Sequence, residues 1–580
     1  MELKSVLKEL KEFVYAEREA NLEKLMETWV KTLHEKLSKG ETQIIKSVKQ
    51  VDSNYLEVVL GNNDSRFREG DMLCLHLGEA HINRHIQQAT IEAENDNSWL
   101  LRVDKLNEEM LSEILGGCYA DPDSMDLTPF YDKALDEITE SKFGREIILP
   151  LLSGQLNTDF IFENDYDDAA DYAQERKLNE QQSDAVGKGV AAKYLACIQG
   201  PPGTGKTKVI SIIAKLLVES GQRVFMTSHT HMAINNALNK IAEENIPVIK
   251  VCGKGGTKAL SNTVGHHEYA SNWKEMPDSG YVIGATPFAT CSQRLEEYDF
   301  DTIIFDEASQ ITLPLALIAM RKGRRFVFVG DHKQLPPVIL SESVLSDCSA
   351  FSRMISKNQE VSTLLDQTYR MSQELTEWPS NCYYNGKLTS ERAINKSIFN
   401  LPHQPQKYMD ILSSKHPFVF IKTPGINAKS ANLAEAKLVA ELIGITIEAG
   451  LSAEEIGVVT PFRSHAKILK SCLANKLGIF ASKSIVTDTV ERMQGQEREM
   501  MIISLCSSDP QYISAIASFF FQPERLNVAI TRAQTKLILV GPDLPEYFLS
   551  ETDDEELRKN IEDYRSLICH GYYVEQMNNG

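Results

Sequence analysis

The sequence predicts an α/β protein with parallel sheets covered by helices, preceded by a small β-barrel carried on a helical stalk. From about residue 190 onward, apolar β-rich runs alternate with helical patterns, which is typical of parallel sheets with helices on both faces. Before that, short β-rich runs lie between two helical segments. We expect a stalk helix at 1–40, a barrel at 41–127, a returning stalk helix at 128–150, and α/β domains at 151–345 and 346–580.

The composition is that of a soluble globular chain of several domains, with 580 residues, 42% hydrophobic and 24% charged. The charged N-terminus "MELKSVLKELKEFVYAEREA" lacks a signal-peptide core, and we expect a cytoplasmic location, with the nucleus not excluded. Ten scattered cysteines without a CxxC pair argue against zinc ribbons, iron–sulfur clusters and disulfide frameworks. The net charge of −20 means that any nucleic-acid binding must use a local groove on an acidic body.

The first 38 residues have apolar positions every three to four residues, which predicts one long helix. A coiled-coil dimer arm is the alternative interpretation, although the apolar seam lapses at Glu17 and Glu19. The runs "TQIIKSVKQV", "YLEVVL", "MLCLHL", "QQATIEAE" and "SWLLRVD" then predict a five-stranded barrel. Residues 128–143 return to a helical pattern, and the acidic stretch 163–177 is predicted to be a linker or helix.

A phosphate-binding loop lies between an apolar strand and a helix in "YLACIQGPPGTGKTKVISIIAKLL". Glycines allow backbone N–H groups to approach β- and γ-phosphates at the N-terminus of a helix. Lys206 supplies a charge, and the Thr207 hydroxyl is suited to Mg²⁺. The predicted ATP-binding loop is Gly200, Pro201, Pro202, Gly203, Thr204, Gly205, Lys206 and Thr207.

Polar residues at the ends of two later strands complete a predicted hydrolytic site. The buried run in "FDTIIFDEASQITLP" ends at Asp306 and Glu307. We expect Asp306 to hold Mg²⁺ through water and Glu307 to accept the proton of the attacking water. Gln334 follows the strand in "FVFVGDHKQLPPV" and is predicted to reach the same site.

Arg532 lies on an otherwise apolar segment, "RLNVAITRAQTKLILVG", in a second α/β unit that has no phosphate loop of its own. Burying an arginine is costly unless an anion meets it. We therefore predict that Arg532 is an arginine finger supplied in cis across a domain cleft to the γ-phosphate. The alternative is that Arg532 pairs with a carboxylate such as Glu497 to hold its own sheet together.

With these residues in place, residues 178–541 resemble superfamily 1 helicases of the up-frameshift-like group, which translocate 5′→3′. The motifs, in order, are "LNEQQ", "GPPGTGKT", "DEASQ", "GDHKQLPP", "LDQTYRM", "VTDTVERMQGQERE" and "RLNVAITRA". The resemblance implies two tandem RecA-like domains with ATP and Mg²⁺ as cofactors. It also implies roles for residues at the nucleotide: Asn179 and Gln182 at the base, Tyr369 near the adenine, Arg370 at the γ-phosphate, and Gln494, Gly495 and Glu497 near nucleotide and ribose.

Some positions depart from the pattern of the group. His229, Thr230 and His231 replace its Pro-Ser-Asn run, Asn235 stands where Asp is common, and Glu524 replaces a first Arg. The two histidines could indicate a metal site, although a surface loop or a phosphate contact is the preferred interpretation. The chain ends within 40 residues of the last motif, which favours a stand-alone motor.

A nucleic-acid track is predicted at loop ends opposite the ATP side, where hydroxyls, aromatics and a few arginines recur. The candidates are Thr230, His231, Thr286, Pro287, Phe288, Pro461, Phe462, Arg463, Thr489 and Arg492, with Arg66, Phe67 and Arg68 added by the barrel. In the group that the chain resembles, the barrel on its stalk touches the nucleic acid. For each residue singly, a structural role in its loop is the alternative.

The predicted function is an ATP-dependent helicase or translocase on single-stranded RNA or DNA. One alternative is a nucleic-acid-stimulated ATPase that strips proteins without unwinding duplex. Another is an ATP-regulated clamp or scaffold, against which Glu307, Gln334 and Arg532 argue. Protein partners through the stalk and barrel are possible and a monomer is favoured, but the sequence does not fix the oligomeric state or choose between RNA and DNA.

Overall fold

The computed structural model of the protein describes residues 2–61, 65–68, 70–78, 86–95, 97–106, 108–158, 161–253, 255–341, 345, 347–393, 396–422, 427–493, 495–544 and 554–575. Within these ranges, no helix combines the length and the apolar composition needed to cross a bilayer.

The N-terminal stalk is two helices rather than the single helix predicted, α1 (Glu2–Trp29) and α2 (Leu33–Lys39). The break has a local cause, because Thr32 and Glu35 form a capping box that starts a new helix. Gly40, in the left-handed conformation at φ 66°, then ends α2.

The first half of α1 packs into the first α/β domain through buried apolar residues, among them Leu10 and Phe13. The lapse of the seam at Glu17 has a structural reason. The Glu17 carboxylate accepts hydrogen bonds from the backbone N–H of Leu340 at 3.0 Å and from the N–H and hydroxyl of Ser341 at 2.7 and 2.5 Å. This half of the helix therefore packs within the chain. Its apolar residues are not exposed for the coiled-coil dimer of the alternative interpretation.

The barrel is closed and antiparallel, with strand order β1-β2-β5-β4-β3-β6. It has six strands, one more than predicted. The sixth, with the sequence CYADP, is short and contains Pro, so its pattern is weak. Helix α3 (Glu108–Ile114) precedes it. The strands are β1 (Gln43–Gln50), β2 (Tyr55–Leu60), β3 (Met72–His76), β4 (Gln87–Asn95), β5 (Ser98–Arg102) and β6 (Cys118–Pro122).

A buried ion pair joins the barrel to the stalk. Lys36 of α2 donates to Asp121 of β6 at 2.5 Å, and His76 Nε2 lies 3.2 Å from the same carboxylate oxygen. Burial raises the pKa of Asp121, but hydrogen bonds from His76, Lys36 and Thr42 outweigh it and leave that pKa lowered. The carboxylate is thus held ionised at this junction.

The chain returns from the barrel to the first α/β domain through a series of helices. They are α4 (Thr128–Glu140), a π-helical turn at Gly144–Ile148, α5 (Leu149–Ser153) and α6 (Glu163–Glu175). Helix α4 contacts both α1 and the first domain.

The first RecA-like domain is built on an eight-stranded parallel sheet of order β10-β9-β11-β8-β12-β13-β7-β14. Apolar clusters cover both faces, as the sequence pattern predicts. The strands are β7 (Leu195–Gln199), β8 (Arg223–Thr227), β9 (Val248–Val251), β10 (Gly265–His267), β11 (Tyr281–Gly284), β12 (Thr302–Phe305), β13 (Arg325–Gly330) and β14 (Ser362–Leu364). The helices are α7 (Glu180–Ala191), α8 (Lys206–Glu219), α9 (His231–Ala242), α10 (Leu313–Met320) and α11 (Ala350–Lys357).

Strand β14 pairs with β7 in the first sheet, although it lies beyond the division predicted at 345/346. A small parallel pair follows, β15 (Gln367–Thr368) with β16 (Thr389–Ser390). The chain therefore leaves the first sheet only after residue 364.

The second RecA-like domain has a six-stranded parallel sheet of order β19-β18-β20-β21-β17-β22. Its strands are β17 (Phe418–Lys422), β18 (Ile456–Thr460), β19 (Val486–Thr489), β20 (Arg498–Ser504), β21 (Ala533–Gly541) and β22 (Tyr572–Glu575). Its helices are α12 (Gln373–Tyr383), α13 (Leu433–Glu448), α14 (Arg463–Leu477), α15 (Ile479–Ser484), α16 (Pro510–Ala515), α17 (Ala517–Phe520), α18 (Pro523–Ile530) and α19 (Glu555–His570).

Candidate functional site

The phosphate loop joins β7 to α8 and needs glycine for two reasons. Gly203 and Gly205 have φ angles of 76° and 83°, in the left-handed region. A Cβ on Gly203 would also lie 2.4 Å from the Arg370 Cβ. Lys206 opens α8, and its Nζ donates to the Gly200 carbonyl at 2.5 Å. The loop thus has the conformation and the helix N-terminus that a polyphosphate requires.

The loop opens onto a cavity of about 760 Å³ between the two domains. The first domain lines it with Pro202, Gly203, Thr204, Gly205, Lys206, Thr207, Asp306, Glu307 and Gln334, and the second with Arg370, Gly495, Gln496 and Arg532. Residues predicted from six separate motifs therefore meet at one cleft.

Asp306 and Glu307 follow β12, opposite the loop. Burial and the neighbouring Glu307 carboxylate raise the pKa of Asp306 to about 7, while the Lys206 charge opposes this shift. Glu307 has a φ of 49°, an unusual conformation for a residue with a side chain. Its N–H donates to the Asp306 carboxylate at 2.9 Å. Two adjacent carboxylates beside a lysine fit a divalent cation, because cation binding favours their ionised forms.

Arg532 enters the cleft from the second domain and is 2% exposed. Its Nε donates to the Val528 carbonyl at 3.1 Å, its Nη1 to the Gln496 carbonyl at 3.3 Å and its Nη2 to Gln334 Oε1 at 3.3 Å. Burial, and next the charge of Arg370, lower the pKa of Arg532 to about 9. Two arginine side chains thus lie close together in the cleft.

The carboxylate that the alternative interpretation assigned to Arg532 has another partner. Glu497 forms an ion pair with Arg370 Nε and accepts a hydrogen bond from Gln534 at 3.0 Å. Arg370 Nη1 also donates to the Thr531 carbonyl at 3.2 Å. Among the described contacts, Arg532 therefore hydrogen-bonds to neutral oxygens, while the charges of Glu307 and Glu497 act on it. It lines the same cavity as the phosphate loop.

The residues predicted at the base lie behind the phosphate loop. Asn179 caps α7, and its Nδ2 donates to the Tyr369 hydroxyl and to Gln367, each at 2.9 Å. Gln182 is buried and donates to the Thr204 carbonyl at 2.9 Å, so its amide also braces the loop. Tyr369 is exposed, and its N–H donates to the Gly203 carbonyl at 2.9 Å. Gln494 lies outside the described residues.

Sequence reasoning missed a buried network that joins the domains below the cleft. Asp331, at the end of β13, accepts hydrogen bonds from Tyr384 at 2.7 Å and Gln334 at 2.9 Å. Asn527 Nδ2 donates to the Tyr384 hydroxyl at 2.9 Å and to the Lys333 carbonyl at 2.8 Å. The available signal was Asp331 itself, a charged residue directly after a buried strand. The network links Gln334 to the helix that precedes Arg532.

Comparison with known proteins identifies the family. Two family models described as "AAA domain" match, one over residues 346–543 and the other over 177–276 and 257–342. The DNA replication ATP-dependent helicase/nuclease DNA2 of Homo sapiens is 29% identical over 63% of this chain and 37% of its own length. That of Saccharomyces cerevisiae is 31% identical over 72% and 29%. Regulator of nonsense transcripts 1 of Dictyostelium discoideum is 30% identical over 63% and 31%.

The chain belongs to the superfamily 1 helicases of the up-frameshift-like group. It spans about a third of the length of the curated relatives it matches. The resemblance carried by the motifs is thereby confirmed.

In this superfamily 1 protein, the predicted nucleic-acid residues fall into separate groups. Phe288 packs on Phe130 and Tyr131, at ring-centroid distances of 6.3 and 6.0 Å. Phe288 and Thr286 line a cavity of about 1330 Å³ between barrel, stalk and first domain, and Pro287 is buried beside them. Thr230 caps α9, and His231 begins it.

Four arginines meet where the barrel faces the second domain. Arg463 Nη1 donates to the Arg66 carbonyl at 3.1 Å. Burial, and then the charges of Arg492, Arg68 and Arg66, lower the pKa of Arg463. We call Arg66, Arg68, Arg463 and Arg492 the arginine cluster. Three of its members also have carboxylate partners, Glu41 for Arg66, Asp71 for Arg68 and Asp488 for Arg492, so its positive charge is partly balanced.

Other predicted track residues have structural partners. Phe462, next to Pro461, packs on Phe519 at 5.8 Å, and Phe67 turns toward the barrel core, edge-on to Trp99 at 6.0 Å. Thr489 is buried. Thr230 and Arg492 line the phosphate-side cavity, whereas we predicted them on the opposite side of the domains. The short loop before α9 therefore borders the nucleotide cleft.

The departures from the group pattern also have local explanations. Asn235 is buried and donates to the carbonyls of Gly256 and Lys258 at 3.0 and 2.9 Å, which holds the loop that follows β9. Within the described ranges, no group of three or more His, Cys, Asp or Glu could hold a metal ion, so His229 and His231 do not form such a cluster there. Burial lowers the pKa of His231 to about 4, with Lys250 next in effect.

Proposed function

We propose that the protein is an ATP-dependent helicase or translocase that moves 5′→3′ on single-stranded RNA or DNA and couples ATP hydrolysis to closure of the cleft. One observation carries the proposal: Arg532 and Arg370 of the second domain face the phosphate loop of the first, and Arg532 contacts Gln334 across the cleft. A residue that must cross a domain boundary to reach phosphate makes hydrolysis depend on the domain arrangement.

The residues of the first domain fit magnesium-bound ATP. Lys206 and the loop would hold the β- and γ-phosphates, and Thr207 and Asp306 would hold the cation, which neutralises developing charge when bound. Glu307 would accept the proton of the attacking water, with Gln334 beside it. Asn179, Gln182 and Tyr369 would border the base.

The second domain would supply the groups that act in the transition state. Arg532 is a planar, bidentate donor suited to charge that develops on the γ-phosphate, where such a residue contributes about 10³ to 10⁵ in rate. Arg370 would bind the same phosphate. Its ion pair with Glu497 holds it near the loop before closure.

The arginine cluster supports binding of a phosphate backbone, since it brings four guanidinium groups together on a chain with a net charge of −20. Phe288 and Thr286 line the large cavity between barrel, stalk and first domain, and Asp71, the ion-pair partner of Arg68, lines it as well. We propose that one strand runs across the domains past these groups. A monomer acting in the cytoplasm or nucleus, with protein partners through the stalk and barrel, remains our expectation.

The test is ATP turnover with matched single-stranded RNA and DNA oligonucleotides. We expect strong stimulation by at least one of them, and the ratio identifies the physiological strand. An unwinding assay beside a streptavidin-displacement assay separates a helicase from an ATPase that remodels protein–nucleic-acid complexes. Turnover that no oligonucleotide changes would contradict the proposal and favour the clamp or scaffold.

A further inference from the structure

A stretch of the second domain has a charge opposite to that of the whole chain. The protein has 81 acidic residues in 580, or about one in seven, yet residues 456–487 contain none. The same stretch contains five basic residues, Arg463, Lys467, Lys470, Lys476 and Lys483. It forms β18, α14, α15 and the start of β19, so the helices that cover this sheet edge carry basic and no acidic side chains. Glu454, Glu455 and Asp488 lie directly outside the stretch.

Helix α14 carries part of this charge along one face. Arg463, Lys467 and Lys470 follow one another at spacings of four and three, which places them on the same side of the helix, and all three are exposed. On the other side, Leu469 and Leu473 are buried against the sheet. Arg463 belongs to the arginine cluster, and the exposed lysines therefore extend that cluster along the helix.

An exposed aromatic side chain lies where α14 meets α15. Phe480 is 92% exposed and Ile479 65% exposed, in the first turn of α15. Single-strand binding surfaces combine basic groups along the backbone with an aromatic ring on which a base stacks. A protein partner could cover the apolar tip, but it would not account for lysines that lead from the tip back to the arginine cluster.

We propose that a single strand of RNA or DNA leaves the arginine cluster and continues along α14, with its phosphates beside Lys467 and Lys470 and a base stacked on Phe480. This inference rests on the proposed function and extends its binding site over the length of α14, about 22 Å for 15 residues. Lys470 lies 3.7 Å from Asp488 in a partly exposed ion pair, in which a phosphate can replace the carboxylate.

The experiment compares three proteins on oligonucleotides of increasing length. The test variant is Lys467→Gln/Lys470→Gln/Phe480→Ala. The control is Lys387→Gln/Met409→Ala/Lys415→Gln, which removes two lysines and one large apolar, non-aromatic side chain from exposed positions elsewhere in the second domain. Fluorescence anisotropy gives the affinity at each length, and thermal melting shows whether each variant folds.

In the wild type and the control, we expect affinity to keep rising with length after the arginine cluster is filled, by about tenfold for one stacked base. The test variant should match them on the shortest oligonucleotides and lose the later gain. Its slope of log affinity against log salt on long strands should also be shallower by about 1.4, for two phosphate contacts.

Three results would overturn the inference. If the test variant keeps the length-dependent gain in affinity, the strand does not extend along α14. The same conclusion follows if the affinity of the wild type stops rising at the shortest length. If the wild type self-associates, and Phe480→Ala dissociates it without changing how affinity depends on oligonucleotide length, then Phe480 binds a second copy of the chain. Failure of the proposed function appears differently, as a wild type whose ATP turnover responds to no oligonucleotide.

Discussion

Removing the Arg532 side chain should cost turnover but not stability. The guanidinium is fully buried, and the fall of its pKa to about 9 corresponds to roughly 5 kcal/mol against the charged form. At neutral pH the folded state carries this cost, since the group remains protonated below that pKa. Arg532→Ala removes the buried charge together with hydrogen bonds worth about 1 kcal/mol each. We therefore expect an unchanged or slightly higher melting temperature.

The effect on catalysis should be much larger. An arginine finger contributes about 10³ to 10⁵ in rate, or roughly 4 to 7 kcal/mol. ATP affinity should change little in Arg532→Ala, because Lys206 and the loop hold the ground state. Arg532→Lys should restore little of the lost turnover, because an ammonium group cannot reproduce the planar, bidentate hydrogen bonding of a guanidinium. Single-turnover hydrolysis and melting should be measured on the same preparation.

Arg525→Ala, on the helix that precedes Arg532, is the matched control. Arg525 pairs with Glu491 at 2.8 Å and stacks on Phe519 at 3.9 Å, so its loss should lower stability and leave single-turnover hydrolysis intact. If Arg532→Ala behaves like this control, with a lower melting temperature and normal turnover per folded molecule, the arginine-finger assignment is wrong.

Four further outcomes are expected. Lys206→Ala should lose ATP binding, whereas Glu307→Gln should bind ATP without hydrolysing it; equal loss of affinity in calorimetry would contradict the separate roles. The slope of log affinity for short single strands against log salt should be near −3, about −0.7 for each of four arginines; a slope twice as steep would require a larger positive surface. Glu17→Ala should lower the free energy of unfolding by about 1–3 kcal/mol in denaturant titration, because Glu17 accepts hydrogen bonds from the loop after the Gln334 motif. The control Glu19→Ala should stay near wild type, and equal effects of the two substitutions would contradict this. Asp121→Asn should destabilise the protein by about 3–5 kcal/mol. Since the pKa of Asp121 is lowered in the folded protein, its stabilising effect should be lost as pH falls below about 4, and a melting temperature that does not change across that range would refute this.

The features that could be predicted from sequence are those whose chemistry is local. The phosphate loop depends on glycines and a lysine at fixed spacing between a strand and a helix, all within 24 residues. The alternation that predicts parallel sheets is also local, because each strand is buried on both faces and reads as an apolar run. The capping box at Thr32 and Glu35 was available by the same logic and would have divided the stalk helix correctly.

Contacts between distant segments could not be predicted in this way. Glu17 looked like a lapse in an apolar seam, because its partner Leu340 is 323 residues away. Asp331 and Tyr384 contact each other across the domain boundary, and no spacing rule relates them. The placement of Thr230 on the phosphate side is a similar case, since a short loop at a strand end can face either flank of the sheet.

The energetic state of the cleft argues for a ligand independently of the motifs. Glu307 holds a left-handed backbone conformation that costs about 1–3 kcal/mol, and Arg532 is buried at a cost of roughly 5 kcal/mol. Together these are comparable to the whole stability of an ordinary domain, about 5–15 kcal/mol. An interface that only joined two domains would be more stable with Arg532 replaced by an apolar side chain. A phosphate at the loop would offset the larger cost further, because it adds an anion to the Glu307 and Glu497 charges that already act on the buried guanidinium. We therefore expect the arrangement to be more stable with nucleotide bound between the domains, as is required of a motor whose closure follows its substrate.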